Sequence, residues 1–189
     1  MKKTLFSLAF VALFSVAATT TVSAQAAKTK TVMVGGAPMY PTKNIVENAI
    51  KSKDHTTLVT ALKAAGLVET LQGAGPFTVF APTNEAFNKL PAGTVETLVK
   101  PENKATLTKI LTYHVVAGRM TSADLVKAIK AGKGMATLKT VSGGTLTAMA
   151  KGKTIELKDE KGGVSTVTIA DVLQSNGVIH VVNTVLMPK

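Results

Sequence analysis

Three histidines, His55, His114 and His180, are the side chains in this 189-residue chain best suited to moving a proton or holding a metal. Their spacing argues against both uses. Structural metal sites take ligands in close pairs, and no two of these histidines are near each other in sequence. The chain has no Cys, which removes disulfides, thiol nucleophiles, thiolate zinc and cysteine-held clusters. No Gly-x-Ser-x-Gly elbow, His-Glu-x-x-His pair or Gly-x-x-x-x-Gly-Lys-Ser/Thr loop occurs. A hydrolase would need a Ser or Thr hydroxyl against His114 or His180, with Asp171 as an orienting carboxylate. No such nucleophile is written into the pattern, so no catalytic residue, metal site or cofactor is assigned.

Lysine is the other chemistry on offer. Basic residues number 22 against 11 acidic, for a net charge of +11, and Arg119 is the single arginine. Lys127, Lys130, Lys133, Lys139, Lys151 and Lys153 occupy a stretch that holds no acid. Such a run suits a polyanion, and it also serves solubility. Base reading leans on bidentate Arg and stacked aromatics. With one Arg and 4% aromatic residues, sequence-specific nucleic-acid binding is excluded.

The elements that must position these groups begin after a leader. Met1-Lys2-Lys3, an apolar run over 5–18 and the small-residue exit Val22-Ser23-Ala24-Gln25-Ala26 are the three parts of a secretory signal. The run is shorter than the roughly 20 residues a membrane span needs. Residues 1–26 are expected to be cleaved near Ala26, leaving a secreted or periplasmic chain with no membrane span. Residues 27–42 read as an arm, broken by Gly35, Gly36, Pro38 and Pro41, with a strand at most over 31–34.

Residues 44–71 read as helical, with Asn44 and Asp54 as N-caps, a stripe of Leu58, Ala61, Leu62 and Ala65, and Gly66 as terminator. Phe77 to Ala81 reads as a strand stopped by Pro82, and Thr83 as the cap of a helix over 84–90. Further helical stretches open at Pro91 and Pro101. Tyr113-His114 turns helix into strand. Thr121 or Ser122 caps a helix carrying Leu125, Val126 and Ile129. From Met135 the apolar period becomes 2, giving strands over 136–141, 145–150, 154–158, 165–170 and 177–183. Glycine-containing turns between the first four make antiparallel hairpins. Helices first and strands last indicate an α+β domain. Phe77 and Phe87 are expected core anchors. His114 and His180 are expected buried and neutral, His55 exposed, and Asp159-Glu160 a solvated turn.

Two stretches carry a resemblance. One is Gly75-Pro76-Phe77-Thr78-Val79-Phe80-Ala81-Pro82-Thr83-Asn84-Glu85-Ala86-Phe87. The other is Ser175-Asn176-Gly177-Val178-Ile179-His180-Val181-Val182-Asn183-Thr184-Val185-Leu186-Met187-Pro188. With Tyr113-His114 between them, they resemble the signature boxes of the fasciclin (FAS1) domain family, over residues 43–188. Asn183 stands where the family often has Asp.

The resemblance implies a FAS1 β-wedge of about seven strands with surrounding helices. It implies a non-enzymatic adhesion module contacting cell-surface or matrix polysaccharide or protein, with weak self-association as a further contact. It also places Tyr113 and His114 at a contact site. Phe77, Thr78, Phe80, Pro82, Thr83, Asn84, Phe87, Asn176, Gly177, His180, Asn183 and Pro188 are then signature positions that build the framework. The competing reading is a carrier or sensor of a small apolar ligand, which would need a pocket above about 300 Å³.

Overall fold

The computed structural model describes residues 31–189, so the expected leader lies outside the described residues. A seven-stranded sheet runs in the order β4-β3-β9-β8-β7-β6-β5. Its centre is β3 (Phe77–Pro82) beside β9 (Gly177–Val182), paired in parallel from Phe77↔Gly177 to Pro82↔Val182. The other pairings are antiparallel. β4 (Val115–Ala117) flanks β3, and β8 (Val164–Gln174) flanks β9. β7 (Thr154–Lys158), β6 (Thr145–Lys151) and β5 (Met135–Lys139) follow as hairpins. A bridge between Val116 and Thr140 brings the two edges together at one point.

Every residue of β9 is buried. Its sequence is apolar on both faces because the sheet has a core on each side. On one side Val79, Ala81, Ile179 and Val181 pack against α1 (Ile45–Ala49), α2 (Thr56–Ala65) and α6 (Lys104–Tyr113). On the other, Phe80, Val182, Leu146, Ala148 and Leu157 pack against Leu125 and Ile129 of α7 (Ser122–Ala131). The expected α+β wedge of seven strands is thus present. Phe87 is buried as expected, and Phe77 is half-buried against the first core.

Local signals fixed most boundaries. Asn44 makes a capping box with Glu47, and Thr121 makes one with Asp124, which settles the choice between Thr121 and Ser122. Thr83 accepts the Ala86 N–H and caps α4 (Asn84–Asn88). Gly66 closes α2 in the left-handed region at φ 73°.

Several expectations are corrected. The two helices expected within 44–71 are present as α1 and α2, but a 3₁₀ turn, Lys53–His55, leads into the second, and the residues after Gly66 form a third short helix, α3 (Val68–Gln72). Asp54 sits inside the 3₁₀ turn and caps nothing. The arm forms a hairpin of β1 (Val32–Val34) and β2 (Ala37–Met39), with Val34, Ala37 and Met39 joining the first core. Pro91 is followed by α5 (Thr94–Leu98), while Pro101 opens a 3₁₀ turn ahead of α6. β8 continues four residues past the expected 170, because a bulge breaks its alternation. Asp171 sits at that bulge with φ 58°, a conformation Asp tolerates better than most residues.

Gly177 marks where the central ladder is tightest. A Cβ there would lie 2.1 Å from the Phe77 carbonyl oxygen, which belongs to rigid backbone. Gly177→Ala is therefore expected to destabilise the domain by about 2 kcal/mol or more. Urea unfolding checks this, and an unchanged midpoint would contradict it.

Candidate functional site

The signature residues meet each other at the joints between segments. Thr78 Oγ1 donates to the Gly118 carbonyl at 2.6 Å and accepts the Met120 N–H at 2.9 Å. Asn84 Oδ1 accepts the Thr57 N–H at 3.0 Å, and its amide donates to the Lys53 carbonyl at 2.8 Å. Asn176 donates to the Leu71 carbonyl at 2.8 Å and accepts the Ile45 N–H at 3.1 Å. Each asparagine replaces a backbone partner that a strand or helix end cannot supply. Asn183 Oδ1 accepts the Thr166 N–H at 2.9 Å. This needs only an acceptor oxygen, so the amide does the work a carboxylate would do there.

Tyr113 and His114 end α6, and both are buried. The Tyr113 hydroxyl donates to the Thr145 carbonyl at 2.6 Å and accepts the Glu160 N–H at 3.1 Å. Burial pushes its pKa up to about 12. His114 Nδ1–H donates to the Ile110 carbonyl at 2.8 Å, and Nε2 accepts the Leu186 N–H at 3.0 Å. A pure acceptor on one side and a pure donor on the other define the tautomer. Neither side chain offers atoms to the surface, so material touching this box meets its neighbours.

His180 is buried, stacked on Phe80 at 5.7 Å between ring centroids, with Nε2–H donating to the Met120 carbonyl at 2.8 Å. The Asp171 carboxylate accepts the Ser122 N–H at 2.6 Å and the Ser122 hydroxyl. Ser122 therefore points at a carboxylate, and neither His114 nor His180 has a hydroxyl partner.

His55, expected exposed, is buried. The 3₁₀ turn directs it inward, and Gly35 of the β1–β2 turn packs over Ser52. Its Nδ1 meets Ser52 Oγ at 2.9 Å, while Nε2 has no partner within hydrogen-bond geometry. The adjoining apolar cavity holds about 10 Å³, room for one water. A substrate cannot reach this pair. Asp159, expected solvated, is also buried. Its Oδ1 accepts the Lys161 and Gly163 N–H groups, and its Oδ2 accepts that of Met187. Two of these donors belong to the turn itself, and the third ties it to the segment after β9.

The lysines divide. Met135 pairs with Met149, so the start of β5 and the end of β6 lie at one end of the sheet. Lys130 and Lys133 close α7 and lead into β5, while Lys151 and Lys153 flank the β6–β7 turn. These four gather at that end, and Lys127 is one helical turn back. Lys139 sits at the far end of β5, roughly 13 Å from Met135. All six are exposed. Lys151 is held by Glu156 at 3.0 Å, the single Lys–carboxylate pair among the described residues.

Sequence reading did not find a hollow of about 300 Å³, lined by Lys109, Lys161 and Lys189 over Leu98, Ile110 and Met187. These residues come from separate segments, and no local pattern connects them. A second hollow, about 370 Å³, opens between the β4 and β5 edges around Met120 and Leu138. The cavities inside the cores are water-sized, about 10 and 20 Å³.

The fasciclin domain profile matches residues 53–188, and the chain belongs to the fasciclin-domain family. Protein sll1483 of Synechocystis sp. is 46% identical over 161 residues, covering 84% of this chain and 81% of that protein. Transforming growth factor-beta-induced protein ig-h3 of Sus scrofa is 36% identical over 151 residues, 79% of this chain but 20% of its own length. A solved FAS1 domain pair from the insect cell adhesion molecule fasciclin I superposes with a TM-score of 0.67 at 19% identity. It covers 77% of this chain and 51% of that one, a likeness of fold. No helix among the described residues is long and apolar enough to cross a membrane.

Burial lowers the pKa of all three histidines, that of His114 to about 4. The Ile110 carbonyl and the Asp159 charge act weakly the other way at His114. Met120 and Asp171 do so at His180, and Ala81 and Asp54 at His55. The unfolded chain takes protons below about pH 6.5 while the fold refuses them. Stability is therefore full above about pH 6.5 and falls toward pH 4, by ~3 kcal/mol from His114 alone. Urea midpoints measured across that interval check this, and midpoints that hold steady would contradict it.

Proposed function

We propose that the domain is an extracellular, non-enzymatic adhesion module. It holds anionic cell-surface or matrix polysaccharide against the sheet end that carries Lys130, Lys133, Lys151 and Lys153. The observation behind this is the register that gathers those lysines, with Glu156 as the neighbouring acid. Like charges gathered at one end raise the local concentration of a polyanion and speed its capture. Family membership and the secretory pattern of residues 1–26 support the extracellular setting. The framework role of the signature residues supports a surface contact over a buried site. His114 and His180 have no hydroxyl partner, and the one His–Ser pair, His55 with Ser52, is buried.

A carrier of a small apolar ligand is less well supported. The enclosed cavities are water-sized, and the hollow of about 300 Å³ is rimmed by three lysines.

Retention on an anionic polysaccharide such as polygalacturonate is expected to fall steeply as salt rises. The triple substitution Lys130→Gln, Lys133→Gln, Lys153→Gln is expected to weaken it about tenfold at low salt. Retention indifferent to both would contradict the proposal.

A further inference from the structure

Backbone N–H groups of the segment after β9 are taken by three side chains that all titrate. Leu186 donates to His114 Nε2 at 3.0 Å, Met187 to Asp159 Oδ2 at 2.9 Å, and Lys189 to Glu160 Oε2 at 3.2 Å. Ser165 Oγ holds Thr184 through both its N–H and its carbonyl, at 3.0 and 2.8 Å. Past Thr184, a protonated carboxyl would still offer an acceptor oxygen, but a protonated imidazole would not, so the Leu186 fastening is the one that protonation abolishes. The Lys109 ammonium also holds the segment's end, donating to a Lys189 oxygen at 2.7 Å. Met187, Pro188 and Lys189 also form one wall of the lysine-rimmed hollow over Leu98 and Ile110.

We propose that residues 185–189 are an acid-released strap: protonation of His114 turns its Nε2 from acceptor to donor, unfastens the Leu186 N–H, and lets the segment lift off the α6 face. The chemistry is one-sided. Nδ1 already donates to the Ile110 carbonyl, so the ring has no second acceptor position to offer. A protonated ring would set its new N–H against the N–H of Leu186. The titratable or charged group facing His114 is Asp159, which also fastens Met187. The small cavity that His114 lines is otherwise apolar, with Leu58, Leu62, Val79, Phe80, Leu111 and Val115 among its walls. The Glu160 carboxylate is held down in pKa by the Thr145 and Lys189 N–H groups. Lifting the strap takes Val185 and Leu186 out of the two cores and uncovers Ile110, an apolar surface suited to acid-dependent self-association.

The proposal concerns local opening, so the measurement is amide exchange on the intact mature chain, between about pH 7 and pH 4.5. With His114 protonated only in the open form, the open fraction grows as pH falls, by up to about tenfold per pH unit. Protection of the Leu186 and Met187 amides is expected to fall by that factor, and to stay below that of Leu146 and Leu157 in the sheet. His114→Gln, whose side-chain oxygen accepts without titrating, is expected to flatten the dependence. If that variant does not fold, Asp159→Asn serves. It weakens the Met187 fastening, so it should lower strap protection already at pH 7 while keeping the His114 slope. Strap amides that exchange only with the core amides at every pH, or whose protection does not change with pH, would overturn the proposal.

Discussion

The parallel ladder between β3 and β9 is the constraint on which the rest of the structure depends. Its strands lie about 100 residues apart, Phe77 against Gly177, the widest separation of any strand pairing in the large sheet. It is buried on both faces, which forces apolar residues at successive positions and requires a core on each side. Helices α1, α2 and α6 cover one face, and the hairpin sheet with α7 covers the other. At the start of the ladder Thr78 is tied to the residue after β4 and Asn176 to α3, through the Gly118 and Leu71 carbonyls. Gly177 is required because Phe77 backbone lies where a side chain would stand.

Much of this was legible in the sequence. The hairpin strands announce themselves by period 2 and glycine turns, and the caps at Asn44, Thr83 and Thr121 by residue type. The parallel pairing was not legible, because residues 77–82 and 177–182 share no local signal that they meet. The length of β8 was hidden by the Asp171 bulge, which shifts the alternation a period search relies on. The second arm strand was hidden by Pro38. Proline is tolerated there because the hairpin is only two strands wide and the Pro38 backbone needs no ladder donor on its outer side.

The candidate site divides in the same way. That His114 and His180 would be buried follows from apolar neighbours at strand spacing. His55 was misread because its burial depends on a 3₁₀ turn and on the covering β1–β2 hairpin, both tertiary effects. Tyr113 and His114 are the strongest motif between the two long boxes, yet their polar atoms are spent on Thr145, Glu160, Ile110 and Leu186. The lysines show the converse. Their sequence cluster over 127–153 is only partly a spatial one, and the strand register determines which four gather. This fasciclin frame keeps its signature residues inside, and the lysines that the proposed contact uses stand on or beside turns that the frame holds in place.

The most direct test of that division is an amide chemical-shift titration of residues 27–189 with a short anionic oligosaccharide. Perturbations centred on residues 130–135 and 149–154, with the buried signature residues unmoved, are the expected result. Perturbations centred on the lysine-rimmed hollow or on the neighbours of Tyr113 and His114, with the α7 end silent, would contradict it.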